Sequence, residues 1–403
     1  MARRQIGKPR FYCDIPSYLK SIGKYYGLTS SGLAETNYPN EEKVYTMNPY
    51  QPNNFEGGYE SHTASFRFWI NQDPASGFGM QEIQDYELNK LLKYHNNSDG
   101  HHSSGWYAGI LGHNFARLQS ELGSEIDMCQ RFWGSDGQNN ANSDLYCNPS
   151  GYKQIINYEQ SMENSETGST GKPKYDGYSL WEVTSRENID DNRFNVLEFV
   201  FTSSHPDNYW LDWLGKELKI GAFTTGIFFE PEHAFELSST TTYSQEGIKT
   251  QTTQGGSTIS NINYLGVPNW GDQPAWTLQK TDGRDYTTVA NRARRQWKVG
   301  LSFIADDNMF DKAGNANKFY NDSFDDGVED AYSVDNFDTS LSSMFKLTQM
   351  GNLPFIFCPN STAVDSDGND DLEFAICRIT NKPSFKQVAN NLFSTSLVLT
   401  ETW

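Results

Sequence analysis

The stretch Phe393-Ser-Thr-Ser-Leu397-Val-Leu399-Thr-Glu401-Thr-Trp403 shows the most regular alternation of apolar and polar side chains in the sequence. Its apolar residues recur at every second position, which is the period of a strand with one buried face. Two runs upstream repeat this period, and their residues are Leu353, Phe355 and Phe357, then Phe374, Ile376 and Arg378. We therefore predict that residues 351–403 form strands of one sheet, with Trp403 in its core.

The composition favours a mainly β protein with more than one domain. A chain of 403 residues is longer than one hydrophobic core usually organises, so two domains are expected. Aromatic residues make up 14% of the chain although all hydrophobic residues make up only 36%, and the mean hydropathy is −0.69. This balance is typical of short strands joined by long polar loops. We predict two β-sandwich-like domains with a few short helices.

The domain boundary is predicted at the turn cluster Ser203-Ser-His-Pro-Asp207. Residues 1–205 are expected to form a β-rich N-terminal domain with an extended N-terminal arm and long polar loops. Residues 206–403 are expected to form a C-terminal β-sandwich with one helix at about 336–350. An apolar stripe defines this helix, and Gly351 provides its stop.

The charge of the chain limits its partners. The formal net charge is −19, whereas a phosphate backbone is bound by a basic surface, so nucleic acid is not expected as the main partner. No apolar run is long enough to span a bilayer, and the start of the chain lacks the apolar segment of a signal peptide. Synthesis in a cytoplasm without membrane insertion is therefore expected. The five cysteines are scattered and odd in number, which predicts free thiols in packed positions.

Two further patterns predict local structure near the N-terminus and in the middle of the chain. Residues 11–27 predict a short helix, because Asp14 can cap it, Pro16 suits its first turn and Gly27 can end it. The alternation of Leu197, Phe199 and Phe201 with Glu198 and Val200 predicts a strand at residues 194–202.

Two groups of residues offer the side chains of a catalytic or metal-binding site, but the sequence around each favours ordinary structure. His95, His101, His102 and His113 offer imidazoles, but no carboxylate or cysteine spacing completes a metal site. The segment Glu230-Pro-Glu-His233 brings two carboxylates and a histidine together, yet its proline is typical of a strand end in a turn. No catalytic residue and no cofactor are predicted.

A metal-binding candidate lies in the acidic loop after residue 364. Its oxygen donors stand at alternating positions, as at the start of a calcium loop, and are Asp365, Asp367, Asn369 and Asp371. The glycine and the final glutamate that an EF-hand requires are missing from their positions. A polar hairpin loop is the favoured interpretation, and calcium binding is the alternative.

An interface is predicted from the distribution of charge in the C-terminal half. A basic turn contains Arg284, Arg292, Arg294 and Arg295, and a long acidic insertion contains Asp325, Asp326 and Glu329. In a closed ring, unlike surfaces of adjacent copies meet. We therefore expect the basic turn and the acidic insertion to lie at an interface between subunits.

Four segments carry a resemblance to a known group of proteins, and they are Gly351-Asn-Leu-Pro-Phe-Ile-Phe-Cys-Pro359, Phe374-Ala-Ile-Cys-Arg378, Leu397-Val-Leu-Thr-Glu-Thr-Trp403 and Arg294-Arg-Gln-Trp-Lys-Val-Gly-Leu-Ser-Phe303. Together they resemble virion structural proteins of tailed bacteriophages, chiefly marine ones, and more loosely minor tail and distal tail proteins. The start Ile6-Gly-Lys-Pro-Arg-Phe-Tyr12 is similar to the same group. The resemblance covers about half of the chain.

This resemblance implies a non-enzymatic tail or baseplate component, a hub or an adaptor, whose C-terminal domain is tail-tube-like. Such a protein is made in the bacterial host cytoplasm, forms a homo-oligomeric ring and contacts other virion proteins. A neck or head-surface decoration protein is an alternative position in the particle. A carbohydrate-binding receptor module, which stacks aromatic side chains on a host-surface glycan, is a second alternative. A glycosidase is a third, and it requires two converging carboxylates.

Overall fold

The computed structural model describes residues 7–23, 25–31, 44–45, 47, 53–56, 63–70, 105–115, 118, 121, 125–133, 177–182, 196–204, 217–231, 233–244, 248–262, 269–270, 273–274, 294–305, 341–362 and 374–402. Within these residues, strands greatly outnumber helices. In chain order the elements are β1 (Arg10–Asp14), α1 (Ile15–Ser21), β2 (Tyr25–Ser31), β3 (Asn53–Glu56), β4 (Thr63–Ile70), β5 (Gly105–His113), β6 (Glu125–Trp133), β7 (Gly177–Glu182), β8 (Val196–Ser204), β9 (Glu217–Ile220), β10 (Ala222–Phe229), β11 (Thr240–Ser244), β12 (Ile248–Thr252), β13 (Thr258–Ile262), β14 (Asn269–Trp270), β15 (Gln273–Pro274), β16 (Arg294–Ala305), α2 (Leu341–Leu347), β17 (Phe355–Cys358), β18 (Ala375–Ile379), β19 (Phe385–Ala389) and β20 (Leu392–Glu401). The predicted mainly β class with a few short helices is confirmed.

A ten-stranded antiparallel sheet is the main structural unit. Its strands follow the order β11-β16-β20-β18-β17-β1-β10-β5-β7, and β19 pairs with β20 beside β18. The strand β1 lies between β10 and β17, so that Phe11 is opposite both Phe229 and Phe357. Strands from the beginning, the middle and the end of the sequence therefore share one hydrogen-bonded ladder.

Residues 10–14 form a strand where a helix was predicted, so the start of the predicted helix 11–27 is wrong. All side chains from Phe11 to Asp14 are buried, which means that both faces of β1 are covered. A short apolar run buried on both faces has no period that distinguishes it from a buried helix. The helix α1 begins directly afterwards at Ile15 and ends at Ser21 rather than at Gly27.

Asp14 caps α1, as the sequence predicted, and it also joins β1 to β10. Its Oδ2 accepts a hydrogen bond from the backbone N–H of Ser17 at 2.8 Å. Its Oδ1 accepts hydrogen bonds from the Thr224 hydroxyl at 3.0 Å and from the Thr225 N–H at 3.1 Å. Burial raises the pKa of Asp14 to about 6, although these hydrogen bonds oppose the rise.

A four-stranded sheet of order β2-β4-β8-β6 packs against the large sheet through aromatic rings. The ring of Phe223 on β10 stacks on that of Phe199 on β8, with their centroids 4.6 Å apart, and lies 5.0 Å from that of Phe66 on β4. Phe201 also stacks on Phe223. These contacts between inward-facing side chains are those of two layers in a β-sandwich.

The predicted strand is present as β8, and its Glu198 is buried although it alternates with the apolar residues of the strand. Glu198 lies directly opposite Arg67 on β4, and the Arg67 Nε donates to its Oε1 at 2.8 Å. Opposite charges on paired strands satisfy each other where an isolated charge could not be buried. The ion pair therefore permits a buried charged residue on the face of β8 opposite to that of Leu197 and Phe199.

The terminal strand confirms the period-two prediction, whereas β17 is buried at all four of its positions and so is covered on both faces. In β20 the buried side chains are Thr395, Leu397, Leu399 and Glu401, and in the paired strand β16 they are Arg295, Trp297, Val299 and Leu301. The helix α2 buries Leu341, Met344 and Phe345, and the chain turns at Gly351 with a φ of 89°. This left-handed backbone is the reason for a glycine at the predicted stop. Trp403 and residues 336–340 lie outside the described residues.

The boundary predicted at residue 205 falls directly after β8 and does not separate the strands of the large sheet. Strands from both sides of this boundary pair directly, because β1 and β5 each lie beside β10. The two predicted halves thus share one ladder. Their division into domains 1–205 and 206–403 stays a prediction.

Separate expression of residues 1–205 and 206–403 tests whether the halves fold alone. We expect each half to be insoluble, because β10 and β17 lose their shared partner β1 and expose the apolar side chains that it covers. Co-expressed halves are expected to co-purify as one complex, measured by affinity capture and size-exclusion chromatography. A soluble half that unfolds cooperatively by circular dichroism would contradict this expectation.

The variant Asp14→Asn tests the effect of the buried carboxyl on stability. Because the pKa of Asp14 is about 6 in the folded chain and 3.8 as an unperturbed group, the unfolded chain loses this proton first as the pH rises. The free energy of unfolding of the wild type, relative to D14N, should therefore fall by about 3 kcal/mol between about pH 4 and pH 6, at roughly 1.4 kcal/mol per pKa unit. Urea unfolding at several pH values in this range measures the difference in free energy of unfolding. Free energies that change in parallel with pH for the two proteins would refute the prediction.

Candidate functional site

A polar groove lies on the outer face of the sheet where β16, β20 and β19 meet. Residues directly opposite each other on paired strands share a face, and Gly300 is opposite Ser396 while Ser394 is opposite Lys386. The buried residues of β16 and β20 lie on the other face, so these four positions point away from the core. The groove has a volume of about 280 Å³, and Glu236, Lys298 and Ser384 also line it.

Glu236 crosses β16 at Gly300, where the absence of a side chain leaves room for it. Its backbone N–H donates to the Gly300 carbonyl at 2.9 Å, and a Cβ at Gly300 would overlap the Glu236 side chain. The carboxylate accepts hydrogen bonds from the hydroxyls of Ser302 and Ser238, the latter at 3.2 Å. Glycine at position 300 therefore allows a carboxylate to be fixed on the surface of the sheet.

Two lysines flank this carboxylate. Lys298 on β16 and Lys386 on β19 are exposed, and neither ammonium group has a hydrogen-bonding partner within the part of the chain that the structure describes. The Ser394 hydroxyl donates to the Lys386 carbonyl at 3.5 Å, whereas the Ser396 side chain is exposed. The groove therefore presents two cationic donors and a row of hydroxyls.

A β-bulge exposes an aromatic side chain opposite Ser394, one of the residues that line the groove. Between the pairs Leu301 with Thr395 and Ile304 with Phe393, both Ser302 and Phe303 lie opposite Ser394. Phe303 has a φ of 60° and is 62% exposed. A positive φ is unfavourable for a bulky residue, and bulges re-aim side chains near functional sites. The strained backbone thus holds a large apolar ring in solvent.

A β-hairpin of β12 and β13 is the second exposed feature. Its strands pair with each other from Ile248 opposite Ile262 to Thr252 opposite Thr258, and in the described residues they pair with no other strand. The two strands are joined by a turn at Gln254-Gly-Gly256. Every side chain from Thr250 to Ile259 is exposed, and Ile259 is 59% exposed.

Arg295 is buried within its own chain, so the prediction that it lies at a subunit interface is wrong. It is 3% exposed, and its Nη2 donates to Glu401 Oε1 at 2.6 Å, while Glu401 is 1% exposed. The same nitrogen donates to the Phe374 carbonyl at 3.2 Å. A buried carboxylate opposite on β20 satisfies this guanidinium, which the sequence did not show because the pairing register was unknown. Arg294 is half-buried, and the other interface candidates lie outside the described residues: Arg284, Arg292, Asp325, Asp326 and Glu329.

The remaining candidate sites do not assemble in the described residues. Asp365, Asp367, Asn369 and Asp371 lie outside them, as do His95, His101 and His102. His113 is buried against Phe115, and desolvation lowers its pKa to about 3. Glu230 is bound by Arg10 Nε at 2.5 Å, and His233 is exposed. No group of three His, Cys, Asp or Glu side chains close enough to hold a metal occurs in these residues.

The cysteines agree with the predicted packed thiols as far as they are described. Cys13 and Cys377 are buried free thiols, and burial raises the pKa of each, together with the charge of Asp14 and of Glu401 respectively. A thiol with a raised pKa is a poor nucleophile at neutral pH. These two residues therefore serve packing.

The groove was missed in the sequence because it combines four separate segments. The one local signal was the alternation of Ser394 and Ser396 with buried residues in β20, which marks a polar outer face but no ligand. The bulge at Ser302 and Phe303 gives no signal in the sequence, since the run 296–304 looks like an uninterrupted strand.

No family model matches the chain, and neither a curated protein nor a solved structure matches it significantly. In the described residues, no helix has the length and apolar character needed to cross a membrane. A function has to be inferred from the sequence pattern and from the geometry of the two exposed features.

The variant Glu401→Gln tests the buried ion pair. Because it leaves the Arg295 charge buried without its counterion, we expect a loss of about 3–5 kcal/mol in the free energy of unfolding. The double variant R295M/E401L removes both charges and should recover most of this loss. Arg378→Gln, at an exposed position on the neighbouring β18, is the control and should change stability by less than about 0.5 kcal/mol. Equal urea midpoints for E401Q and R378Q would contradict a structural role for the pair.

Proposed function

We propose that this chain is a non-enzymatic structural protein of a tailed-phage virion, a tail or baseplate hub or adaptor that assembles as a homo-oligomeric ring. The resemblance noted above concerns four segments, which overlap β16, β17, β18 and β20. The four strands are neighbours in the large sheet, in the order β16-β20-β18-β17. The residues behind the resemblance thus belong to one contiguous unit, which supports the proposal.

The hairpin of β12 and β13 is the observation that carries the assembly part of the proposal. A two-stranded hairpin alone in water is marginally stable at best. Its exposed residues 250–259 contain no charged side chain, whereas proteins usually protect exposed strand edges with lysines, prolines or a covering element. A hairpin whose exposed residues 250–259 carry no charge is suited to pair with another strand.

The edge of the large sheet offers such a strand on a second copy. The strand β11 is terminal in the sheet order, and its residues Thr240 to Thr242 are exposed. If the hairpin of one copy pairs with β11 of the next, each subunit uses its hairpin to contact one neighbour and its β11 edge to contact the other. Contacts of this heterologous kind close into rings when the rotation allows.

Replacement of residues 249–261 by a short Gly-Ser linker tests this assembly. We expect the full chain to sediment as an oligomer in analytical ultracentrifugation and the variant as a monomer. The variant should still unfold cooperatively, because in the described residues the hairpin pairs only with itself. Insertion of two serines between Gly255 and Gly256 is the matched control, since it lengthens the tip and leaves both strand edges intact.

A full chain that is monomeric at every concentration would contradict ring assembly, and so would an oligomer that persists without the hairpin. Immunogold labelling of intact particles distinguishes a tail or baseplate position from a neck or head-surface position. The glycosidase alternative predicts release of reducing sugars from host polysaccharide, which the proposed non-enzymatic protein would not produce.

A further inference from the structure

The groove on the outer face of β16, β19 and β20 has the chemistry of a saccharide site with a preference for negative charge. We propose that it binds an acidic saccharide, a short run of sugar units that carry carboxylate groups. This proposal does not depend on ring assembly, because every residue that forms the groove belongs to a single chain.

The charges of the groove favour an anionic ligand. The Glu236 carboxylate already accepts hydrogen bonds from two serine hydroxyls, whereas the ammonium groups of Lys298 and Lys386 have no such partner in the described residues. With two lysines and one carboxylate, the groove has a local net positive charge in a chain whose overall net charge is −19. Charge-assisted hydrogen bonds from ammonium to carboxylate are stronger than neutral ones.

The hydroxyls of the groove match those of a sugar. Ser384, Ser394 and Ser396 line it, and each serine hydroxyl can donate one hydrogen bond and accept two. Sugar hydroxyls have the same dual capacity, so the two sets can satisfy each other in either direction. The volume of about 280 Å³ is close to the lower end of small-molecule sites, which run from roughly 300 to 1,000 Å³. A site of this size suits one or two sugar rings.

Phe303 supplies the apolar surface that sugar recognition requires. A sugar ring has one face made of C–H groups, which packs on an aromatic ring. The bulge places Phe303 opposite Ser394, next to the groove, and holds it largely exposed with a positive φ. A bulky residue with a positive φ costs stability, and such residues cluster at functional sites. The strain at Phe303 therefore supports a binding role for its ring.

The arrangement fits a saccharide better than nucleic acid or an anionic membrane. Both of those ligands are bound by an extended basic surface, and the long-range field of this acidic chain repels them. A saccharide with isolated carboxylates requires only a few cations at fixed places beside hydroxyls and an aromatic ring. Lys298 and Lys386 line the groove with the serines, and Phe303 is exposed at the bulge opposite Ser394.

Titration calorimetry of the full chain with oligogalacturonate and with an oligomer of sialic acid tests the proposal. We expect at least one of these acidic oligosaccharides to bind, and neutral maltohexaose to bind at least about tenfold more weakly because it lacks carboxylates. K298A/K386A should lose about tenfold in affinity for the acidic probe. Lys382→Ala is the matched control, because this exposed lysine precedes β19 but does not line the groove.

The variant Phe303→Gly separates a binding role from a structural one. Glycine relieves the positive φ, so the thermal midpoint should stay unchanged or rise while the affinity for the acidic probe falls. Met350→Ala, at another exposed apolar side chain, should leave binding unchanged. The proposal is overturned if neither acidic probe binds, if maltohexaose binds as well as they do, if K382A costs as much as K298A/K386A, or if F303G binds like the wild type.

Discussion

The insertion of β1 between β10 and β17 is the constraint on which the rest of the structure depends. The strands β10 and β17 each form backbone hydrogen bonds along one edge with this five-residue strand. Its side chains fill both layers, since the Phe11 ring lies 5.3 Å from Phe357 on one face while Tyr12 lies 5.1 Å from Tyr107 on the other. Asp14 then ends the strand, begins α1 and fixes β10 in place, so one short segment sets the register of the central sheet.

Much of the β architecture could be predicted from period two, and the exceptions have a common cause. The strands β16 and β20 show one buried face, which their sequences reveal directly. The strand β1 has no such period because both of its faces are covered. Arg295 and Glu198 looked like surface residues because charged side chains are rarely buried without partners, and their partners are remote in sequence. The groove could not be predicted, since register and a bulge bring its residues together.

The distribution of charge separates the interior from the two exposed features. Inside, Arg295 with Glu401 and Arg67 with Glu198 leave no net charge on either pair. Outside, residues 250–259 of the hairpin have no charge and the groove has a positive balance. The chain as a whole repels anions, and salt screens this repulsion over about 10 Å at 0.1 M. An acidic ligand therefore gains from contact in the groove but not from long-range attraction, which favours slow capture with selection by fit.

The central position of β1 also sets a time scale for synthesis. Phe11 pairs with Phe229 and Phe357, and both of these residues are translated much later than β1. At about 5–20 residues per second, roughly 10–40 s pass between the synthesis of Phe11 and that of Phe229. During this interval an apolar strand without a ladder partner has emerged from the ribosome. A nascent chain of this design has to be shielded by a chaperone, or by its own transient contacts, before its largest sheet can close.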